Sequence, residues 1–340
     1  MRILYIIPGF DEGGAEVHVL NLVCELSEKG HEITIASSGG RLEHNLPEGV
    51  KILHMPADKK NPITVILCAL KLSRLNAKFH WDIIHAHSRV PAWIAWVMSG
   101  ITGTKWIMTA HALYSLNFGI IPLKHSDGAI CISQAVMHHL KNYLPHDTVI
   151  IPNGIIPPEL HYDDFSHEGG VKFLTVGRLT GLKGLDVALR ALSGLKDYDW
   201  TLEVLGEGPK REELEALSQE LGLSERVRFL GDMARQEVNA YMAGSSCLLF
   251  PSFSEGMGLV VLEAIAVGLP VIASDLEALH EIARGELVPA GNVGEWREAL
   301  RRFMETGEGS GLGAGNIITV HDMAAMVDGY YHRIEKDYSV

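Results

Sequence analysis

Two segments place charged side chains beside glycines, in patterns suited to binding an anion and a sugar. One segment reads VGRLTGLKG and puts Arg178 and Lys183 five residues apart. A guanidinium offers a planar fork to a phosphate, and an ammonium offers a point charge. A second segment, FPSFSEGMGLVVLEAIAVGLPVIASD, puts Glu255 and Glu263 eight residues apart. A carboxylate in so apolar a helix needs hydrogen-bond donors, which vicinal sugar hydroxyls supply. The alternative for each segment is an ordinary solvated turn or helix edge.

Two glycine-rich turns precede predicted helices. Gly13 and Gly14 follow the first predicted strand, and Gly258 opens the helix that contains Glu263. Free N–H groups and the helix dipole favour an anion at such a helix start. The first turn lacks the G-x-G-x-x-G spacing, so the sequence does not indicate an NAD site. A tight turn without a ligand is the alternative.

Length and composition indicate a folded chain of two domains. The chain has 340 residues, of which 47% are hydrophobic and 21% charged, which is enough apolar surface for a sizeable core. The formal net charge is −13, opposite to that of a general nucleic-acid binder. Residues 1–160 carry 13 basic and 13 acidic side chains, whereas residues 161–340 carry 16 and 29. The two halves therefore differ in net charge, which indicates that their surfaces face different surroundings.

The localisation expected from the sequence is cytoplasmic. Four cysteines lie singly in apolar runs, which predicts buried free thiols and a reducing compartment. The amino terminus enters a strand pattern directly, without the features of a signal peptide. The most apolar windows, residues 90–98 and 257–274, are too short or too interrupted to span a bilayer.

Short β-branched runs alternate with helical patterns in both halves, which predicts an α/β fold. Near-continuous apolar strands indicate parallel sheets covered on both faces. We expect two doubly wound, Rossmann-like domains facing a cleft, with ligands at the carboxyl ends of the strands. The predicted domains are residues 1–155 and 156–318, followed by a helix over residues 319–340 that packs back on the first domain. The predicted strands cover residues 2–7, 32–36, 51–54, 83–87, 106–110, 128–132 and 148–151, then 171–176, 201–205, 227–230, 247–250, 270–273 and 286–288.

With these elements the chain resembles the retaining glycosyltransferases of family 4 (glycosyl transferases group 1), which have the GT-B fold. Three groups of residues carry the resemblance, and the last contains the family's E-x7-E element. They are Gly13-Gly14-Ala15-Glu16, Gly177-Arg178 with Lys183-Gly184, and Glu255-Gly256-x-Gly258-Leu259 with Glu263. Elements of the family's fold can be placed along nearly the whole chain.

The resemblance implies a role for each of these residues. Gly13 and Gly14 admit the donor diphosphate, while Arg178 and Lys183 clamp it and neutralise the leaving group. Three further groups complete the implied site. They are the sugar-contacting residues Glu255 and His111, the helix start Gly258, Leu259 and Val260, and the nucleoside contacts Glu263 (ribose), Gly206 and Met233 (base).

The expected reaction is metal-independent transfer of a hexose-type sugar from a nucleotide sugar, with a UDP-sugar favoured, and with retention of configuration. The donor is a substrate, and no cofactor or metal is expected. Asp197-Tyr198-Asp199 has the D-x-D spacing of metal-dependent transferases, but it precedes a strand and so lies at the wrong end of it. The alternatives are a nucleotide-sugar epimerase on the same fold, a glycosidase that uses Glu255 and Glu263, and a catalytically silent nucleotide-sugar-binding protein.

The first domain is expected to bind the acceptor, which is a glycan, a lipid-linked molecule or a small molecule. Residues 59–81 contain five Lys or Arg and no Asp or Glu, around a helix with an apolar row. One interpretation is an ordinary packed helix with solvated basic residues. The other is peripheral contact with an anionic membrane, at its inner face, that delivers a lipid-linked acceptor.

Overall fold

Buried β-branched runs form the strands of two parallel sheets, because strands covered by helices on both faces need apolar side chains on both faces. The computed structural model describes residues 1–11, 13–157, 170–282, 287–307 and 317–336. The chain divides into two units, residues 1–154 with 318–340 and residues 155–317. The last helix therefore belongs to the unit that contains the amino terminus.

Every strand pair in the two sheets is parallel. Within the described ranges, the first unit has seven strands in the order β3-β2-β1-β4-β5-β6-β7, and the second has five in the order β10-β9-β8-β11-β12. The strands are β1 (Arg2–Ile6), β2 (Glu32–Ser37), β3 (Lys51–His54), β4 (Ile83–Ala86), β5 (Lys105–Ala110), β6 (Gly128–Cys131), β7 (Thr148–Ile150), β8 (Val171–Val176), β9 (Trp200–Leu205), β10 (Val227–Gly231), β11 (Cys247–Phe250) and β12 (Val271–Ala273).

Helices follow most of the strands, as connections between parallel strands require. Among the described residues, four helices precede the second unit, six belong to it, and the last belongs to the first unit. They are α1 (Gly14–Glu28), α2 (Pro62–Phe79), α3 (Arg89–Thr102), α4 (Gln134–Leu140), α5 (Leu185–Leu192), α6 (Arg211–Glu220), α7 (Arg235–Ala243), α8 (Leu259–Val267), α9 (Glu277–His280), α10 (Val293–Thr306) and α11 (Val320–Lys336).

Buried hydroxyl and imidazole groups attach α11 to the first sheet. The Tyr331 hydroxyl lies 2.7 Å from the Tyr5 hydroxyl of β1 and 2.6 Å from Nδ1 of His85 on β4. Tyr331, Met323 and Val327 also join the apolar core of this unit. Helix α11, although it lies at the carboxyl-terminal end of the chain, therefore contributes to the core of the first unit.

The two parallel sheets confirm the predicted α/β class, and the first twelve predicted strands agree with β1 to β12 to within one residue at each end. Of the predicted strand at residues 286–288, Glu286 lies outside the described residues, and Val288 forms a single parallel bridge to Ser274. Residues 155–170 are rich in Pro, Asp, His and Gly, which predicts an interdomain linker, and most of them, residues 158–169, also lie outside the described residues. The four cysteines are free, but Cys24 is only half-buried, contrary to the prediction.

Candidate active site

In each sheet the strand order reverses beside the first strand of the unit. The second unit builds β9 and β10 on one side of β8, and β11 and β12 on the other. The crevice at such a reversal, outside the carboxyl ends of the strands, is where open α/β sheets bind ligands. The loops that follow β8 and β11 meet there, and they contain Arg178, Lys183 and Glu255.

An ion pair joins these two loops. Lys183 Nζ donates to Glu255 Oε1 over 2.6 Å, and the Lys183 ammonium lies 5.4 Å from the centre of the Phe250 ring. The Glu255 side chain is 13% exposed and that of Lys183 is 32% exposed. The pair therefore remains accessible from solvent, and a ligand can contact the ammonium and the carboxylate together.

Backbone contacts hold the two loops of this ion pair together. Lys183 ends a short 3-10 turn, and Gly184 follows it with a φ of +62°. A Cβ at Gly184 would collide with the carbonyl oxygen of Pro251, so only glycine permits this close approach of the two loops. The N–H of Phe253 donates to the carbonyl of Leu182 over 2.8 Å, which holds the loops in register.

Arg178 and Gly206 lie at the ends of the neighbouring strands β8 and β9. Arg178 is exposed, and the following Leu179 is buried and donates its N–H to the carbonyl of Glu207 over 2.8 Å. A Cβ at Gly206 would collide with the carbonyl of Gly177. The structure thus brings the predicted base-framing glycine beside the loop of Arg178, while Met233 follows β10 and is half-buried.

Helix α8 begins at a glycine in the left-handed region. Gly258 has a φ of +81° and precedes Leu259 and Val260, which are half-buried. The first N–H groups of a helix have no preceding turn to accept them. Together with the helix dipole, they make this start of α8 suitable for an anion.

Glu263 lies on the second turn of α8 and has an ion-pair partner that the sequence did not reveal. Arg235 Nη2, from the first turn of α7, lies 2.7 Å from Glu263 Oε1. Burial raises the pKa of the Glu263 carboxyl, and the charge of Arg235 opposes that rise. The Arg235 guanidinium therefore stabilises the Glu263 carboxylate within an otherwise apolar helix. The second carboxylate oxygen can accept a hydrogen bond from another donor.

In the first unit the strand order reverses between β1 and β4. Gly13 caps α1 and Gly14 is its first residue, as the sequence predicted. A Cβ at Gly13 would meet the Glu16 carboxylate, so that acidic side chain folds over the start of its own helix. Burial raises the pKa of the Glu16 carboxyl. An anion that binds here must displace or rearrange Glu16.

His111 is half-buried and belongs to a cluster of four histidines at this edge of the first sheet, in which His18, His85 and His87 are buried. His87 Nδ1 lies 2.9 Å from His111 Nε2, and His85 Nε2 lies 2.7 Å from the hydroxyl of Thr109. His18 from α1 completes the cluster, with its ring centroid 4.8 Å from that of His111.

Burial keeps these imidazoles uncharged. Desolvation lowers the pKa of His18 to about 4, with the polar side chain of Asn153 acting in the opposite direction. Desolvation, and then the neighbouring imidazoles, hold the pKa values of His85, His87 and His111 well below the usual range. The cluster thus presents neutral nitrogens.

Sequence reasoning singled out His111 but missed the rest of the cluster. The available signal was His85-x-His87 at the end of a predicted strand, since alternate residues there point to one face. A further sign is Ser88, directly after His87, with a φ of +145°. A non-glycine residue in that region is strained, and such strain is concentrated at functional sites.

Among the described residues, His18, His87 and His111 form a group that could bind a metal ion. Asp197 and Asp199 of the D-x-D precede β9, so they lie at the amino end of that strand, as predicted. None of the helices in the described ranges is both long and apolar enough to cross a bilayer.

Known proteins match both units. Residues 12–157 match the family model described as Glycosyltransferase Family 4, and residues 159–310 match the one described as Glycosyl transferases group 1. An uncharacterized glycosyltransferase of Methanocaldococcus jannaschii is 28% identical over 312 residues, which span 87% of this chain and 86% of that protein. A D-inositol 3-phosphate glycosyltransferase of Corynebacterium jeikeium is 25% identical over 355 residues, which span 86% of this chain and 84% of that protein.

The fold is also shared with a solved structure. HepE from Anabaena, determined in complex with UDP-glucose, superposes with a TM-score of 0.77 at 20% identity and covers 100% of this chain and 99% of its own. The family matches do not favour the glycosidase or epimerase alternatives.

Proposed function

Because the chain belongs to the glycosyl transferases group 1 family and is a glycosyltransferase, we propose that it transfers a hexose-type sugar from a nucleotide sugar with retention of configuration and without a divalent metal. The observation that carries this proposal is the Lys183–Glu255 ion pair, 2.6 Å long, at the strand-order reversal of the second sheet. It offers a cation to a departing phosphate beside a carboxylate for sugar hydroxyls. A UDP-sugar is the favoured donor, which the UDP-glucose complex of the similarly folded HepE supports.

The residues of the second unit bind different parts of the donor. Arg178 and Lys183 hold the diphosphate, and they stabilise the charge that grows on it as the sugar leaves. The N–H groups at the start of α8, from Gly258 to Val260, bind the same diphosphate. Glu255 orients the sugar. Glu263 accepts hydrogen bonds from the ribose hydroxyls.

The remaining predicted residues complete the proposal. The backbone at Gly206 and the side chain of Met233 frame the base. In the first unit, Gly13 and Gly14 admit the diphosphate, and His111 contacts the transferred sugar. No carboxylate acts as a nucleophile, because the departing phosphate accepts the acceptor's proton. The first unit binds the acceptor, which is a glycan, a lipid-linked molecule or a small molecule.

A donor screen tests the proposal. We expect the melting temperature of the protein to rise with a UDP-sugar, in the presence of a chelator, and to rise less with GDP- or ADP-sugars, because bound ligand stabilises the folded state. Product identification with the best donor then separates the activities. Sugar release from a glycoside without a nucleotide sugar, or donor conversion without an acceptor, would contradict the proposal.

Glu263 gives a prediction on donor affinity. Replacing Glu263 by Gln should raise KM for the donor about tenfold or more, because a hydrogen bond to a charged group is lost. Burial raises the pKa of this carboxyl, so the wild-type KM should rise as the pH falls from neutrality toward that pKa. The Gln variant should lack this component of the pH profile. Glu213→Gln, an exposed carboxylate on α6, serves as the control, and identical KM values in all three proteins would remove Glu263 from the donor site.

We propose further that α2 contacts an anionic membrane at its inner face. The helix buries Val65, Cys68, Ala69 and Leu72, yet four large apolar side chains on its other face are exposed. They are Ile63 (68%), Ile66 (48%), Leu67 (61%) and Leu70 (39%). This row is not in the core of its own unit, which disfavours the packed-helix interpretation for these four residues.

The basic residues around this apolar row favour contact with an anionic surface. Lys71, Arg74 and Lys78 on α2 are exposed, as are Lys59 and Lys60 just before it, although Lys59 pairs with Asp58. Each Lys or Arg near an anionic lipid surface contributes about 1 kcal/mol of binding free energy, and the apolar row enters the interface. Such contact brings a lipid-linked acceptor to the first unit.

Vesicle co-sedimentation tests the membrane contact. We expect binding to vesicles that contain anionic lipid, with loss of binding at high salt, and weak binding to neutral vesicles. Ile63→Ser with Leu67→Ser should abolish it, whereas Met326→Ser, at an exposed position on α11, should not. Equal sedimentation with neutral and anionic vesicles would refute the proposal.

A further inference from the structure

Three histidines from separate elements meet at the strand-order reversal of the first sheet. His18 lies on α1, His87 follows β4, and His111 follows β5. Their ring centroids are 4.8 Å (His18–His111), 5.2 Å (His87–His111) and 5.9 Å (His18–His87) apart. One nitrogen can be taken from each ring so that the three atoms all lie within 4.8 Å of one another.

Several ring nitrogens of this cluster lack a hydrogen-bond partner in the described part of the chain. Both nitrogens of His18 are buried and unpaired, as are His87 Nε2 and His111 Nδ1. Leaving a buried polar atom unpaired is costly, so an ion that accepts an electron pair from His18 would remove part of that cost. His87 Nδ1 and His111 Nε2, which face each other over 2.9 Å, can supply two further electron pairs to the same ion.

We propose that His18, His87 and His111 bind one divalent transition-metal ion, with Zn²⁺ the best suited, and that the bound ion inhibits sugar transfer. Neutral imidazoles are the preferred ligands of zinc, copper and nickel, whereas magnesium and calcium prefer oxygen ligands. The group contains no carboxylate. Three histidines with a fourth position left open are an established arrangement for zinc.

The distances are close to those that zinc requires. Two ring nitrogens on a tetrahedral zinc ion lie about 3.3 Å apart, given zinc–nitrogen distances near 2.05 Å. His87 Nδ1 and His111 Nε2 are slightly closer than this, at 2.9 Å, and the third nitrogen is within 4.8 Å of the others. Side-chain rotations that move a nitrogen by about 1 Å would gather all three around one ion.

The inhibitory part rests on the proposed function, in which His111 contacts the transferred sugar. An ion on His111 occupies the electron pair that a sugar hydroxyl would use, and it places a double positive charge where the sugar is expected. Catalysis itself uses no metal in this proposal. The ion is therefore a ligand that competes with the donor sugar.

Metal binding is measured on the full chain in the absence of donor, so its outcome does not depend on the proposed activity. We expect calorimetry on chelator-treated protein to show one Zn²⁺ per chain, and Co²⁺ to give the visible absorption of a four-coordinate site. His18→Gln and His87→Gln should each weaken binding at least about tenfold, since even loss of an outer-shell partner costs 10–100-fold. His54→Gln, an exposed histidine beside Glu43, should bind like the wild type.

Two further measurements keep the proposal falsifiable if a variant does not fold. X-ray absorption of zinc bound to the wild type should show imidazole scattering from three ligands, and circular dichroism should establish which variants are folded. Wild-type protein that binds no zinc, zinc without imidazole ligands, or folded His18 and His87 variants with unchanged affinity would overturn the site. Inhibition is scored against each protein's own metal-free rate, and it should be relieved by a chelator. Stoichiometric zinc that leaves wild-type transfer unchanged would overturn the inhibitory role.

Discussion

Replacing Lys183 by alanine should lower kcat for sugar transfer by about a thousandfold or more, and Glu255→Ala should have a similar effect. The Lys183 ammonium is proposed to meet charge that grows only as the diphosphate departs, so its loss raises the barrier rather than weakening substrate binding alone. Glu255, which we propose orients the sugar, also positions that ammonium over 2.6 Å. Initial-rate kinetics with a saturating donor measures both effects.

The fold should survive these two substitutions. Both side chains are partly exposed, at 32% and 13%, and partly exposed ion pairs contribute little to the free energy of unfolding. The matched control is the exposed pair between Lys210, directly before α6, and Glu213 on α6, where Lys210→Ala should leave kcat and the melting temperature unchanged. Wild-type turnover by folded Lys183→Ala or Glu255→Ala protein would remove the pair from the mechanism.

Replacing Arg178 by alanine should lower kcat/KM for the donor by about a hundredfold. Arg178 is exposed at the end of β8, where its guanidinium can approach a phosphate without breaking a buried contact. A charge that binds the diphosphate more strongly as it departs affects kcat as well as KM. Steady-state kinetics over a range of donor concentrations separates the two parameters.

The Arg178→Lys variant tests whether the bidentate geometry of the guanidinium contributes beyond its positive charge. The lysine keeps the positive charge but loses the bidentate geometry, so we expect it to recover only part of the loss. Arg228→Ala, at an exposed arginine on β10 that pairs with Glu203, is the control and should behave as the wild type. If Arg178→Ala left both kinetic parameters intact, the diphosphate would have to bind elsewhere.

The sheets could be predicted from the sequence because their strands are nearly continuous apolar runs. β1 and β11 are buried along almost their whole length, and such runs between helical patterns have few other interpretations. The predicted positions of Lys183 and Glu255 follow from the same reasoning. Each comes after a strand, and adjacent parallel strands end at the same edge.

The contacts that tune the site could not be predicted in the same way. Arg235 and Glu263 meet through the packing of α7 on α8, which no local pattern encodes. His18, His87 and His111 converge only because β1, β4 and β5 are neighbours in a particular register. Side-chain contacts of this kind depend on long-range order, so sequence spacing alone identified His111 but not its partners.

Helix α2 shows a second limit of prediction from the sequence. Its apolar residues occupy more than one face, so the sequence could not decide which of them are buried. The structure buries Cys68 and Leu72 and exposes Ile63 and Leu67, because only one face of the helix packs against the rest of the first unit. The exposed row is the observation that favours a membrane surface.

The most direct test of the central claim is the anomeric configuration of the product formed from a UDP-sugar in the presence of EDTA. Proton NMR of the transferred sugar should show the same anomeric configuration as in the donor, and the rate should be undiminished by the chelator. A product of inverted configuration, transfer that requires an added divalent ion, or free sugar as the only product would contradict metal-independent retaining transfer through Arg178, Lys183 and Glu255.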